Sequence, residues 1–228
     1  MEHFSDIIIE LFEGFGNTVL LFAATLVVAL PLGLLLAFGS MSKFKPLKWL
    51  VNVLVWVIRG TPLMLQILLV SFIPQYVFSV PTKQLAAALN ISINTTMFLF
   101  VAIAFIINYA CYFSEIYRAG IEAIPQGQYE AGKVLGLTKN QVFGKIILMQ
   151  VVRRILPPMS NEIITLVKDT SLAQILGVID LLNAAKHAVN HYVILSPFLY
   201  AAIFYLIFNG ILTLLLGWIE KKLSFYQV

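Results

Sequence analysis

A set of polar and charged side chains interrupts an otherwise apolar part of the sequence near residue 165. The set comprises Asn161, Glu162, Thr165, Lys168 and Asp169. Because these residues recur at intervals of three, four and seven positions, they would share one stripe of a helix. A carboxylate here could accept hydrogen bonds from an ammonium group, while the amide and hydroxyl groups could bind a carboxylate. The stripe could therefore bind a zwitterionic solute, or its members could pair with one another or with a second subunit.

Two further pairs of titratable residues lie one helical turn apart. Glu115 and Arg118 have the spacing of an ordinary i,i+3 ion pair, which we favour over a gate. His187 and His191 have an i,i+4 spacing that can hold a metal, but two imidazoles without a third identified ligand are a weak indication. We therefore predict a solvated helix face at the histidines and no metal site.

The composition indicates that lipid is the solvent for these elements. Of the 228 residues, 60% are hydrophobic and 11% are charged, whereas about a quarter of the residues in a soluble domain are charged. This composition excludes a disordered chain and a disulfide scaffold. The net charge of +4 does not indicate a nucleic-acid partner, because the basic residues are not clustered on one solvated face.

Apolar segments divide the chain into five predicted crossings of a membrane, each helical because hydrocarbon leaves no other partner for the backbone. The predicted crossings are 17–39, 46–76, about 97–112, about 146–166 and about 194–219. The second is too long for one straight crossing and is interrupted at Arg59, Thr61 and Pro62. This break either exposes backbone to a path through the membrane or is a structural kink held by its neighbours.

The distribution of lysine and arginine predicts the orientation of these crossings, because cytoplasmic loops carry an excess of both. Basic residues fall between crossings one and two, around the loop between three and four, and after five, whereas the other side holds only Lys83 and Lys186. We therefore predict an N-terminus outside and a C-terminus inside. The predicted divisions are an extracytoplasmic segment 1–13, a transmembrane domain 14–222 and a cytoplasmic tail 223–228.

The longest predicted cytoplasmic loop, about 126–144, should contain two short helices. Gly136 is placed to end the first in a left-handed conformation, and Thr138 with Gln141 forms a capping box that begins the second. Small residues at 131 and 132 would let another surface approach closely. The loop is therefore either a docking element for a soluble partner or an ordinary connection that packs on its own bundle.

The same loop carries small and acidic residues at fixed offsets from one another. The pattern comprises Glu130, Ala131, Gly132, Gly136, Ile146 and Leu148. It resembles the EAA loop of permease subunits in bacterial ABC importers. Two residues depart from the family pattern: Gly132 replaces the usual second alanine, which keeps the position small, and Met149 replaces a proline, which could alter the bend at the fourth crossing.

Four more segments narrow the resemblance to permeases of the polar amino acid uptake group, and the similarity covers about 14–222. These segments are 59–63, 114–120, 161–162 and 168–172. The resemblance implies an all-α membrane protein with a type I ABC importer permease core and a cytoplasmic coupling helix. It also implies import of a polar amino acid by alternating access across the bacterial cytoplasmic membrane.

The partners and residue roles follow from the same resemblance. The implied partners are a second permease subunit, identical or different, two cytoplasmic ATP-binding subunits and an extracytoplasmic amino acid binding protein. Coupling to the ATPase is expected from Tyr129, Glu130, Ala131, Gly132 and Gly136. The substrate path is expected to contain Arg59, Thr61, Asn161, Glu162, Thr165, Lys168 and Asp169.

The chain lacks a motif for binding ATP itself. A P-loop needs a glycine, four residues, and then Gly-Lys-Ser/Thr. Around Gly144 and Lys145, the nearest candidate, Lys139 occupies the first glycine position and Ile146 the hydroxyl position. We therefore predict no catalytic residue and no cofactor in this chain, with ATP and Mg²⁺ bound by the partner ATPase.

Three alternatives remain open at the level of sequence. The first is a secondary transporter driven by ions, with Glu115, Glu162 and Asp169 as its relay. The second is a permease of the same architecture for another solute such as a quaternary amine, although no aromatic cage is evident near the stripe. The third is a membrane scaffold that does not transport.

Overall fold

The computed structural model describes residues 3–223, and the regular structure within that range is entirely helical, which confirms the predicted all-α class. A π-helical turn at Phe143–Ile147 precedes α8, and a 3₁₀-helix at Thr170–Leu176 follows it. Residues 1–2 of the predicted outer segment and 224–228 of the predicted tail lie outside the described range. The α-helices are α1 (Phe4–Ser40), α2 (Lys45–Arg59), α3 (Leu63–Tyr76), α4 (Thr82–Ala88), α5 (Ile93–Glu122), α6 (Gln126–Val134), α7 (Lys139–Val142), α8 (Leu148–Asp169), α9 (Leu181–Tyr192) and α10 (Ser196–Leu223).

Helix α1 begins well before the predicted crossing, which had its start at residue 17. Its 37 residues correspond to about 56 Å, whereas the hydrocarbon core of a bilayer is about 30 Å thick. The additional turns are helical because Ile7 and Leu11 pack against Leu181 and Ala185 of α9. The N-terminal part of α1 is therefore continuous with the membrane helix and is held by α9.

Within residues 3–223, fewer helices are long and apolar enough to cross a membrane than the five predicted crossings. Helices α1, α5 and α10 are long and apolar enough to span a membrane, and α2 with α3 would form a fourth span if the bent pair crosses as one. Helix α8, the predicted fourth crossing, is 22 residues long but carries five charged side chains. It packs against α5 and α10, so the helix lies within the bundle, and the five-crossing topology stays a prediction.

Helices α2 and α3 meet at an angle of 110°, at the break predicted from the sequence. Pro62 precedes α3 in an extended conformation, and the Thr61 hydroxyl donates to the Val57 carbonyl at 2.9 Å. The Gln66 amide donates to the carbonyls of Ile58 at 2.7 Å and Thr61 at 3.1 Å. The backbone groups left by the break are therefore satisfied internally, which supports a structural kink held by its neighbours.

The main core lies where α5 passes between α1, α3 and α8. Phe105, Tyr109 and Phe113 of α5 are almost fully buried there. Gly33 of α1 permits the closest approach, because a Cβ at this position would lie 2.8 Å from the Cβ of Phe113 and 2.9 Å from the Ala110 carbonyl oxygen. Helix α1 is thereby packed directly on the backbone of α5.

The loop between α5 and α8 has the two predicted short helices. Gly136 has a φ of +71°, as expected for a left-handed helix stop. Thr138 and Gln141 form both reciprocal bonds of the capping box. Gly132 packs against Val142, so its small size is used to bring α6 and α7 together. The chain then enters α8 through the π-helical turn, and Met149 continues the helix.

Candidate solute path and coupling surface

A cavity of about 500 Å³ lies between the end of α2, the C-terminal part of α5 and the middle of α8. The 110° bend exposes the last turn of α2 to this space, and two consecutive prolines precede the polar part of α8. Its walls include Arg59, Tyr112, Glu115, Arg154, Pro158 and Glu162. Two of the predicted path residues, Arg59 and Glu162, therefore line the same cavity with opposite charges.

Arg59 joins a network of charged groups on α5. Its guanidinium lies 3.5 Å from a Glu115 carboxylate oxygen and 5.2 Å from the centre of the Tyr112 ring. The predicted pair of Glu115 and Arg118 is confirmed at 2.7 Å, and Arg118 also binds Glu122 at 2.8 Å. The sequence did not predict that Arg59 would share Glu115, because that contact depends on the bend that brings α2 over α5.

Glu162 is the member of the predicted stripe that faces this cavity. Its side chain is half-buried, and within residues 3–223 the structure shows no hydrogen bond or ion pair from its carboxylate. The pairing alternative for Glu162 is therefore not observed within the subunit. An unpaired carboxylate opposite an arginine that remains 41% exposed can bind the ammonium end of a solute while Arg59 binds an anionic end.

The remaining stripe residues reach different surroundings. The Tyr109 hydroxyl of α5 donates to Asp169 at 2.7 Å, while Lys168 lines a separate cavity beside α9 and α10. Asn161 is exposed and Thr165 is half-buried. The set contains two adjacent pairs, at 161–162 and 168–169, and adjacent residues on a helix point about 100° apart, so its members spread over more than one surface.

The polar contacts at the break were missed from the sequence. Thr61 directs its hydroxyl to the backbone of α2, and its oxygen accepts from Gln66 at 2.9 Å. The other end of the Gln66 amide accepts from Asn108 of α5 at 3.0 Å. The sequence did contain an indication of these contacts. A helix break leaves carbonyl groups unpaired, and Gln66 is a polar residue one turn into the next helix that can donate to them.

The predicted coupling residues divide between an inner and an outer face of α6. Tyr129 is half-buried and packs on the cluster of Ile124, Val142, Ile147 and Val151. On the outer face, Glu130 and Ala131 are exposed, as is Gly136 beyond the end of the helix.

The outer face also presents two large apolar residues that were not assigned a coupling role from the sequence. Val134 is 88% exposed and Leu135 is 74% exposed at the end of α6. Leu137 and Val142 of the same loop pack in the cluster beside Tyr129, whereas Val134 and Leu135 stay exposed, as apolar residues at a contact with a protein or with lipid do.

Comparison with known proteins identifies the chain. A family model described as "Binding-protein-dependent transport system inner membrane component" matches residues 29–225. The chain belongs to this family. It is therefore a non-enzymatic, multi-pass permease subunit of the inner membrane, and ATP hydrolysis in such systems is performed by a separate subunit.

Individual relatives of the permease cover almost its whole length. The L-cystine transport system permease protein TcyB of Bacillus subtilis (strain 168) is 37% identical over 93% of this chain and 86% of that protein. The arginine transport system permease protein ArtQ of the same strain is 32% identical over 93% and 91%.

Solved structures agree with this assignment. A crystal structure of an amino acid ABC transporter with histidines matches the permease with a TM-score of 0.82, 28% identity and 96% coverage of each chain. The MetNI methionine ABC transporter in an inward-facing conformation matches with a TM-score of 0.68, 16% identity and coverage of 96% and 98%. This second likeness shows the fold alone.

The histidines of the permease lie at the junction of α1 and α9. His187 contacts the Glu10 carboxylate at 2.5 Å, and its ring is parallel to that of His191 with centres 6.3 Å apart. Within the described range, no group of three or more metal-ligating side chains comes together.

Proposed function

We propose that the permease forms half of a conduit for a polar amino acid, and that the solute passes through the cavity between Arg59 and Glu162. The observation that carries this proposal is the pairing of an exposed guanidinium with an unpartnered carboxylate across one cavity of about 500 Å³. An amino acid presents one cationic and one anionic group, so it can satisfy both walls at once. Relatives named for cystine, arginine and glutamine transport support the same solute class.

The proposed orientation places the N-terminus outside and the loop of α6 and α7 in the cytoplasm. The excess of lysine and arginine on the side of that loop supports it. A second permease subunit completes the conduit, and an extracytoplasmic binding protein delivers the solute. Two ATP-binding subunits, carrying ATP and Mg²⁺, dock on the outer face of α6.

Transport proceeds by alternating access in this proposal. Closure of the ATPases moves α6, and the cluster around Tyr129 transmits that movement to α8, because Val142, Ile147 and Val151 pack in the same cluster. The charged network of Arg59 and Glu115 lies beside the cavity, where it can separate or re-form as α2 and α5 move. Glu130 and Gly136 belong to the moving element.

Family membership favours this mechanism over the alternatives. An ion-coupled relay needs several titratable groups free to exchange protons, whereas only Glu162 of the three candidates is unpaired within the described residues. Glu115 is bound by two arginines and Asp169 by Tyr109. A quaternary amine site needs an aromatic cage, but the face of Tyr112 is covered by Arg59.

The test of the proposed function is solute-dependent ATP turnover. The permease is purified with its ATPase and binding protein, reconstituted in lipid, and screened against amino acids of differing side-chain charge. Stimulation of ATP hydrolysis by one polar amino acid, with uptake into the vesicles, is the expected result. Uptake by the permease alone that collapses with an ionophore and ignores ATP would contradict the proposal.

A further inference from the structure

The solute cavity has a second cation in its wall, Arg154 of α8, which the binding of one ammonium and one carboxylate group leaves unused. The charged residues that line the cavity are Arg59, Glu115, Arg154 and Glu162. Arg59 and Glu115 contact each other at 3.5 Å. The two lining charges that have no ion-pair partner within residues 3–223 are therefore Glu162 and Arg154.

The Arg154 guanidinium is held at the end of the cavity that lies beside the C-terminus of α5. One of its terminal nitrogens donates to the Ala123 carbonyl at 2.8 Å, and Ala123 lines the same cavity. The Arg154 side chain is exposed. A guanidinium has several N–H donors in a planar fork, so most of them remain available for an anionic ligand.

The spacing of the two unpaired charges indicates the length of the ligand. Arg154 and Glu162 both lie on α8, and eight residues of helix correspond to about 12 Å along its axis. The ammonium and carboxylate groups of an amino acid are bonded to one carbon atom, so these two groups alone do not extend from Glu162 to Arg154. The group that reaches Arg154 must belong to the far end of the side chain, and a carboxylate matches the guanidinium fork.

We propose that the permease binds an amino acid with a second carboxylate at the far end of its side chain, and that Arg154 binds this distal carboxylate. The inference rests on the proposed function, in which Glu162 binds the ammonium group and Arg59 the carboxylate at the other end. The distal carboxylate belongs either to a dicarboxylic amino acid such as glutamate or to a disulfide-linked one such as cystine. Arg154 thereby determines specificity within the solute class.

The test is equilibrium binding of L-glutamate, L-cystine and L-glutamine to the purified complex of permease and ATPase in nanodiscs. The binding protein is omitted, so the measured preference is that of the permease. Glutamine is the matched solute, because an amide replaces the distal carboxylate of glutamate. Tighter binding of glutamate than of glutamine identifies a dicarboxylic solute, and tighter binding of cystine than of both identifies a disulfide-linked one. Binding of glutamine at least as tight as that of the other two would overturn the proposal.

Arg154→Gln tests the assigned residue. It should weaken binding of the preferred solute about tenfold or more, as expected for loss of a hydrogen bond between charged groups, and leave the affinity for glutamine unchanged. Lys145→Gln is the control, because Lys145 is an exposed cation near the start of α8 that does not line the cavity. It should leave all three affinities unchanged. Equal weakening of the three solutes by Arg154→Gln would overturn the proposal.

Arg154→Lys separates recognition of the solute from a structural role at the end of α5. This variant keeps the positive charge, so it should keep a preference for the distal carboxylate that Arg154→Gln loses. If Arg154 acts only on the Ala123 carbonyl, both variants would lower the melting temperature without changing the ratio of affinities. That result would overturn the proposal.

Glu162→Gln distinguishes failure of this inference from failure of the proposed function. All three solutes have an ammonium group beside the first carboxylate, so this variant should weaken the binding of each. If it does so while Arg154→Gln leaves the ratio of affinities unchanged, only the assignment of the distal carboxylate is wrong. If Glu162→Gln weakens none of them, the proposed solute path is wrong as well.

Discussion

Gln66 is the residue that most directly holds the bend between α2 and α3. It donates to two backbone carbonyls left by the break and accepts from Asn108, and both side chains are buried. Gln66→Leu should lower the thermal stability of the purified permease, since each buried group left unpaired costs about 1–3 kcal/mol.

The control for this change is Gln75→Leu, which makes the same substitution at an exposed position in the same helix. It should leave the melting temperature in detergent nearly unchanged. If the two variants have the same melting temperature, the bend does not depend on the Gln66 contacts.

Glu162 provides a test of the solute path. Glu162→Gln removes the negative charge from the cavity at almost constant volume. The half-saturating concentration of solute for stimulated ATP turnover should rise roughly ten- to hundredfold, because a hydrogen bond to a charged group contributes about 1.5–3 kcal/mol. Glu13→Gln, at an exposed position on α1, should leave that concentration unchanged. Equal half-saturating concentrations for the two variants would show that Glu162 does not bind the solute.

Interactions between residues within one helical turn were predictable from the sequence, whereas contacts between distant helices were not. The left-handed Gly136 and the capping box of Thr138 and Gln141 depend only on residues within one turn, and both are observed. The contact of Arg59 with Glu115 joins residues 56 positions apart and exists because the chain bends by 110° between them. No pattern of spacing encodes that angle.

Helix α6 is the element through which the ATPase is proposed to act. Val134→Asp changes a side chain that is 88% exposed, so the fold of the permease should persist. Co-purification of the ATPase and coupling of its turnover to uptake should both fall, with a loss of about 1 kcal/mol or more if Val134 lies in the centre of the contact.

Asn140→Asp is the matched control for the docking surface. It adds the same negative charge at an exposed position of α7 in the same loop. Normal association and uptake are expected for this variant. Normal transport by the Val134→Asp permease as well would argue strongly against docking through α6.

The packing of α1 on α5 can be tested with one substitution at two positions of the same helix. Gly33→Ala places a methyl group 2.8 Å from the Cβ of Phe113, so the helices must separate, at a cost of about 1–3 kcal/mol. Gly16→Ala meets no atom within 4 Å and should stabilise the helix by up to about 1 kcal/mol. Melting temperatures that move in the same direction would contradict this packing.

The extent of the helices was less predictable than their existence. Helix α1 continues to Phe4 because its N-terminal turns pack on α9, a helix that hydropathy did not reveal. Asp180 begins α9 by accepting from the N–H groups of Leu182 and Asn183, each at 3.1 Å. Tertiary contacts between these two elements decide where each one starts, and a window of local hydropathy contains no information about them.

On the scale of the whole molecule, the apolar faces of α2 and α10 show what the isolated subunit lacks. Trp56 is 75% exposed on α2, and Leu214 is 77% exposed on α10. Such surfaces must contact lipid or a second subunit. In the proposed function, this subunit is the second permease that completes the conduit. The composition predicted this environment, but it could not predict which faces would remain open.

In the proposed orientation, the loop of α6 and α7 faces the cytoplasm while α9 faces the outside, and labelling of single cysteines tests this. Cys111 is the only cysteine in the sequence and is buried, so a Cys111→Ala background permits single-site labelling. Cysteines at Asn140 and Lys186 are compared in intact cells with a membrane-impermeant maleimide. We expect labelling of position 186 in intact cells and of position 140 only after the membrane is opened. Labelling of position 140 in intact cells would contradict the orientation, and with it the proposed coupling to ATP.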